Sequence, residues 1–236
     1  MATRKFVHFE TTNWSELASL TGPEADSALA ALCLKYWEPL YAFARRRFND
    51  VHLCQDLTQG FFQHILSKNI LRSADRDRGR FRTFLLAAFK NYVSHENSRA
   101  AAKRRGGDLL HVPLDFEEAE RAFLETRVDR KTPEQHFDRM WTLKLIHDVR
   151  ASLRAEQRQK GQADRFDVLE PFLAADSPTR RMHAASELGL SQEALRAAIS
   201  RLRRRFRELL KAEVALVLHD SEDVDDEIRQ MFQSLA

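Results

Sequence analysis

Residues 177–211 read SPTRRMHAASELGLSQEALRAAISRLRRRFRELLK, and the punctuation of this stretch decides the fold. Ser177-Pro178 is a helix start: a side-chain oxygen to cap the first free N–H groups, then a proline whose missing N–H costs nothing at the first helical position. Gly189 follows as the turn, and Ser191 caps a second, longer helix. In that helix Leu195, Ile199, Leu202, Phe206 and Leu209 step by four, three, four and three, one apolar stripe of helical period. A short capped helix, a glycine turn and a long amphipathic helix together predict a helix-turn-helix over 178–211.

The opposite face of the long helix carries Glu193, Arg196, Ser200, Arg203, Arg204 and Arg207, with the small Ala197 among them. From Arg196 to Lys211 there are seven basic residues against one acid, Glu208. Arginines offer forked donors to guanine edges and phosphates, and small residues allow close backbone approach, so this face suits a major groove. A solvated bundle face is the plainer alternative.

Working outward, the rest of the chain also reads as helical. Only 7 Gly and 6 Pro occur in 236 residues, too few for a turn-rich β fold. Apolar residues recur at helical spacing over 26–48 and 53–71, and a third helix starts at Phe81 and runs to a stop at Gly106-Gly107. Residues 106–131 mix acids with Pro113 and read as an extended linker with at most a short helix around 116–125. Thr132-Pro133-Glu134-Gln135 has the form of a capping box opening a helix that ends near Gly161. A further helix over 163–174 is bent or shortened by Pro171. From His219 to Ala236 six acids face one base, yet Val224, Ile228, Met231 and Leu235 keep helical spacing. This acidic helix either binds a regulator, frays, or docks on the 132–218 domain in competition with DNA, and docking is the preferred expectation. The fold class is therefore all-α: two helical domains joined by an extended linker, with a C-terminal acidic helix. The divisions are 1–25 (an N-terminal extension), 26–105, 106–131 (linker), 132–218 and 219–236 (tail).

The net charge of +3 is small, so its distribution matters more than its total. Two cysteines, Cys33 and Cys54, make no disulfide framework and suit a reducing compartment. No secretory leader and no membrane span are read, which places the chain in the cytoplasm. His52, Cys54, His8, His64 and His95 lack metal-ligand spacing, so no metal and no cofactor are expected.

Three strings resemble the extracytoplasmic-function (ECF) group of sigma-70 factors. HAASELGLSQEALRAAISRLRRRFRELL is similar to their region 4 helix-turn-helix, and QDLTQGFFQHIL to the polymerase-binding helix of region 2. FRTFLLAAFKNYVSHENSRAAAKRR resembles the helix that opens and reads the −10 element. The two blocks stand in family order and cover most of 26–211.

The resemblance implies a non-enzymatic bacterial subunit that binds core RNA polymerase and directs it to promoter DNA. It makes 26–105 a region 2-like domain and 132–218 a region 4-like domain. It implies −35 contacts from Ser191, Gln192, Glu193, Arg196, Ser200, Arg203, Arg204 and Arg207. It implies −10 contacts from Arg80, Phe81, Arg82, Lys90, Asn91 and Asn97, core packing being equally open for Phe81. Polymerase contacts fall to Gln55, Asp56, Gln59 and Phe62. A stand-alone helix-turn-helix regulator is the rival reading.

The match has gaps. Family members carry an acidic run in the polymerase-binding helix, where this chain has Leu53, Gln55 and Gly60; only Asp56 and Gln59 remain. Thr58 lies within this depleted surface and is either an ordinary helix-surface residue or a phosphorylation site that restores negative charge. A Ser/Thr kinase or an anti-sigma regulator is then a further partner. Arg181, His183 and Ala184 also stand where relatives commonly have an aromatic, an acid and a larger aliphatic residue.

Overall fold

The computed structural model describes residues 23–68, 81–100, 114–126, 130–215, 218 and 223–235, with side chains at 35–65, 81–96, 114–125 and throughout the last three ranges. Among these residues every regular element is helical. They fall into two compact units, one taking in residues up to Thr142 and from Val214 on, the other Leu143–Glu213.

The first unit contains α1 (Pro23–Arg47), α2 (Val51–Lys68), α3 (Phe81–Ala100), α4 (Phe116–Thr126), the first turns of α5 (Pro133–Gln159) and, from the C-terminal segment, the helix Val224–Leu235. Its core is aromatic. Tyr36, Leu40, Tyr41 and Phe43 of α1, Phe61 and Ile65 of α2, and Phe89 of α3 are essentially without solvent contact. Phe89 stands edge-on to Phe61 at 4.9 Å and to Phe43 at 6.0 Å, so one ring ties three helices together. Arg45 ends α1: its Nη1 donates to the carbonyls of Phe48 (3.1 Å) and Asn49 (2.9 Å), near the helix end where backbone acceptors lack helical partners.

Gly60, in the middle of α2, has a packing reason. A Cβ there would meet the Tyr92 hydroxyl at 2.5 Å, so the glycine makes room for α3.

The short helix allowed around 116–125 is present, as Phe116–Thr126. This stretch is a full helix, started by Asp115, whose Oδ1 accepts from the Glu118 N–H at 3.2 Å, and packed on α1. Phe116 lies 5.3 Å from both Trp37 and Tyr41. Glu120 accepts from the Tyr41 hydroxyl (2.6 Å) and takes both arms of Arg45 (2.8 and 2.9 Å), while the Arg45 guanidinium covers Phe123 at 5.0 Å. Burial, then the Glu120 hydrogen bond, push the Tyr41 phenol far above its ordinary range. Glu120 is thus an anchor of the first unit. Its neighbours Glu117 and Glu118 are exposed.

The capping box at α5 is present: the Thr132 hydroxyl accepts from the Gln135 N–H (3.2 Å) and the Gln135 side chain from the Thr132 N–H (2.9 Å). The boundary between the units differs from the expectation. It falls within α5, after Thr142, because the first turns of that helix bury His136, Phe137, Met140 and Trp141 with the first unit.

The second unit continues from Leu143 through the rest of α5, α6 (Ala163–Leu169), a 3-10 turn (Glu170–Leu173), α7 (Pro178–Leu188) and most of α8 (Gln192–Ala215). Gly161 takes φ 67° just beyond α5, and Pro171 begins the switch from α6 to 3-10 geometry. Leu153, Phe166, Leu169, Phe172, Ala184, Ala185, Leu195, Ala198, Ile199 and Leu202 close one core.

The last helix, α9 (Val224–Leu235), belongs to the first unit; of the 132–218 span expected to receive it, it meets Arg139 and Thr142 in the first turns of α5, and it also meets Arg82 of α3. Glu227, only 2% exposed, pairs with Arg82 at 2.9 Å. The Leu235 carbonyl accepts from Arg139 (2.7 Å) and the Ser234 carbonyl from Lys131 (3.2 Å). Cations at the C-terminal end and acids in the first turn both match the helix dipole.

Candidate nucleic-acid interface

The second unit builds its outward face from two capped helices. At α7 the Ser177 hydroxyl accepts from the Arg180 N–H at 3.2 Å, and Pro178 sets the first turn. Gly189 turns the chain with φ 61° and ψ 33°, the left-handed region that a side chain would strain. Its N–H donates to the Ser186 carbonyl (3.3 Å) and that of Leu190 to Ala185 (2.9 Å), closing the end of α7. Ser191 then caps α8 by accepting from the Ala194 N–H at 3.1 Å. Four apolar residues of α8, Leu195, Ala198, Ile199 and Leu202, are buried in the core, with Phe206 and Leu209 packed partly against it. This burial sets the rotation of the helix and leaves Gln192, Glu193, Arg196, Ala197, Ser200, Arg204 and Arg207 exposed.

The arginines of α8 divide by their partners. Arg203 is held in place: its Nε and Nη2 donate to the Phe172 carbonyl at 3.0 and 2.9 Å, and Nη2 lies 3.4 Å from Asp176. Arg205 is tied to Glu156 (2.9 Å) and Glu208 (3.2 Å). Arg204 has only a loose neighbour, Glu208 at 3.7 Å, and with Arg196 and Arg207 points to solvent. Across from α8, Arg181 of α7 donates to Asp176 at 2.8 Å. That hydrogen bond, then the charge of Arg181 and of Arg203, hold the Asp176 carboxyl below its ordinary range. These groups and Ser200 line an open concavity of about 430 Å³. Chemically it is an anion seat with orientation: forked donors, a hydroxyl, and one carboxylate that aligns two of the guanidiniums. Asp176 was not singled out from the sequence. Its position five residues before Arg181, across the cap of α7, was the available signal.

The candidates in the first unit are distributed differently. Asp56 is exposed, and Gln55 and Gln59 are half-buried, so all three reach the surface of α2. Phe62, expected to contact polymerase, is instead 2% exposed and packed beside Phe61 at 5.6 Å. Thr58 is corrected as well. It is fully buried, and its hydroxyl donates to the Cys54 carbonyl at 2.8 Å, a bond within the helix that leaves no access for a modifying enzyme. Burial also pushes the neighbouring Cys54 thiol up to about 11.

Among the −10 candidates, Phe81 is a core residue, edge-on to Tyr36 at 5.2 Å. Arg82, expected on the surface, is largely buried, lying over the Trp141 ring at 4.9 Å and paired with Glu227. Lys90 is exposed and bonded to Glu134 at 2.8 Å, and Asn91 is exposed. Asn97 lies in α3 with its side chain outside the described residues, and Arg80 lies outside them altogether.

Among the described residues no group of three or more His, Cys, Asp or Glu side chains is placed to hold a metal, and no helix is long and apolar enough to cross a membrane. Compared with known proteins, the chain matches no family model, no curated protein and no solved structure.

Proposed function

We propose that the chain is a sigma factor of the ECF kind, which binds bacterial core RNA polymerase and uses the α7–α8 element to place it on promoter DNA. The observation that carries this reading is the outward face of α8, where Arg196, Ser200, Arg204 and Arg207 are exposed on a helix whose rotation is set by a buried stripe. Further support comes from the sequence: the α2–α3 and α7–α8 strings resemble two blocks of that family in the family's order.

Mechanistically, the N-terminal half of α8 enters the major groove. Gln192, Glu193, Arg196 and Ser200 reach base edges, while Arg204 and Arg207 track the phosphates. Arg181 and Arg203, aligned by Asp176, fix the angle of approach through the backbone. Asp56, Gln55 and Gln59 on α2 are the polymerase-facing candidates. Only one carboxylate lies among them, so attraction to a basic polymerase surface is weak and apolar fit must carry more of the affinity.

Co-purification of the full chain with bacterial core polymerase, followed by run-off transcription from candidate promoters, tests the proposal. Failure to bind core polymerase and to start any transcript overturns it. One observation favours a second reading, a stand-alone regulator: Phe62 and Phe81 serve the core of the first unit and are not displayed. A regulator binds its duplex site with the same affinity whether or not polymerase is present.

A further inference from the structure

We infer that α9 is an internal competitor for single-stranded DNA: its Glu227 carboxylate and terminal carbonyls occupy a row of cations, Arg82, Arg139 and Lys131, that takes up nucleic-acid phosphates when the helix leaves. The inference rests on the promoter-binding reading above and concerns the regulation of its first unit.

The contacts that hold α9 are mostly polar. Of its apolar residues only Met231 is fully buried; Val224, Ile228 and Leu235 are half-buried, and Phe232 is 45% exposed. What fastens the helix is Glu227 on Arg82, the Leu235 and Ser234 carbonyls on Arg139 and Lys131, and the Ser234 hydroxyl 3.2 Å from that of Thr142. Each of the three cations therefore meets an oxygen carrying negative charge or a negative helix-end dipole. A phosphate oxygen supplies the same chemistry with a full charge.

Spacing fits as well. Residues 227 and 235 are about 12 Å apart along a helix axis, well beyond the roughly 3.4 Å of axis per phosphate on one strand of a duplex, so the row is long enough to meet more than one phosphate of a more extended single strand. Arg82 keeps its place without Glu227, since it stacks on Trp141 at 4.9 Å and its Nε lies 3.7 Å from Asp138; its Nη1, the nitrogen that meets Glu227, is the one that changes partner. A buried carboxylate on an arginine is costly to desolvate and is no strong stabiliser on its own, so exchange for another anion carries a small net penalty.

The test uses the full chain. Anisotropy of a labelled single-stranded oligodeoxynucleotide gives affinity, and hydrogen exchange over 224–235 reports whether α9 is seated. For Glu227→Gln, exchange over 224–235 rises and affinity for the oligonucleotide increases about fivefold or more, the lower range of ordinary coupling. For Arg82→Gln, α9 is equally released but affinity does not increase. In the wild-type chain, linkage requires that saturating oligonucleotide deprotect α9, a measurement that needs no variant to fold.

Release of α9 in Glu227→Gln without a gain in affinity overturns the inference, as does an equal gain in Arg82→Gln. So does unchanged α9 protection in saturated wild type, or equal deprotection by polyglutamate of matched charge, which makes the row a protein-docking site. The parent reading fails separately, by absence of polymerase binding. A chain that binds polymerase and yet shows any of these outcomes keeps that reading and loses this one.

Discussion

Arginine does one kind of work in the core of the first unit and another on the outward face of α8. In the first, Arg45 is clamped by Glu120 and lies over Phe123, and Arg82 is sandwiched between Trp141 and Glu227. In the second, Arg196, Arg204 and Arg207 stand on the exposed face of α8 with little to hold them. The residue type is the same, and so is the helical setting. The difference is whether an acid from a distant element lies within reach: Glu120 is 75 residues from Arg45, and Glu227 lies farther still from Arg82. A basic helix therefore offers freely oriented cations only at the positions where the tertiary fold supplies no carboxylate, as at Arg196 and Arg207 and unlike Arg203, which Asp176 and the Phe172 carbonyl hold.

The largest effect that would break this comparison is loss of the frame behind α8. Phe172→Ala removes a fully buried ring from the second unit's core and is expected to cost about 3–5 kcal/mol. Because Trp37 and Trp141 lie in the first unit, denaturation followed by far-UV circular dichroism should show an early phase that tryptophan fluorescence does not.

Next, Arg82→Ala leaves Glu227 buried without its main cation and is expected to cost about 3 kcal/mol, less if α9 detaches to relieve it. Its denaturation midpoint, read from tryptophan emission, should fall clearly; a neutral result would put Arg82 in the same class as the α8 arginines.

Ser191→Ala removes the cap of α8 and should lower stability by about 1 kcal/mol in urea, with DNA affinity falling only in proportion to fraying of the first turn. Gly60→Ala sharpens the packing claim in the first unit. Replacing a mid-helix glycine ordinarily gains about 1 kcal/mol, and here the new Cβ meets the Tyr92 hydroxyl at 2.5 Å, so no gain in Tm is expected.

At the small end, Arg204→Ala should leave stability within about 0.5 kcal/mol. In a DNA-binding titration against salt it should lower the slope by about one, the signature of a lost phosphate contact. An Arg204 variant that unfolds the second unit would erase the distinction between the two sets of arginines.

Much of the fold was legible because it is written in local signals. Ser177-Pro178, Gly189 and Ser191 each carry a specific backbone role that needs no tertiary contact to predict, and all three behave accordingly. The capping box at Thr132 is of the same kind. Phe116–Thr126 was harder. Its charged residues and the nearby Pro113 resemble a linker, and its helicity is decided by Phe116, Ala119, Glu120 and Phe123 finding partners on α1. Thr58 was misplaced for a related reason. It sits in a polar-looking segment, but its helix turns it inward, where its hydroxyl finds the Cys54 carbonyl.

By itself, then, the chain's sequence determined where helices begin and end and which stripe of α8 turns inward, because caps, turns and a 3.6-residue period act over one or two turns of backbone. Only the tertiary structure decided which cations stay outside. Pairing Arg82 with Glu227 and Arg45 with Glu120 depends on elements far apart in the chain, and the first of these pairs helps seat α9 on the first unit. Charge is countable in a sequence. Its neutralisation depends on a distance of a few ångströms, which only the folded chain supplies.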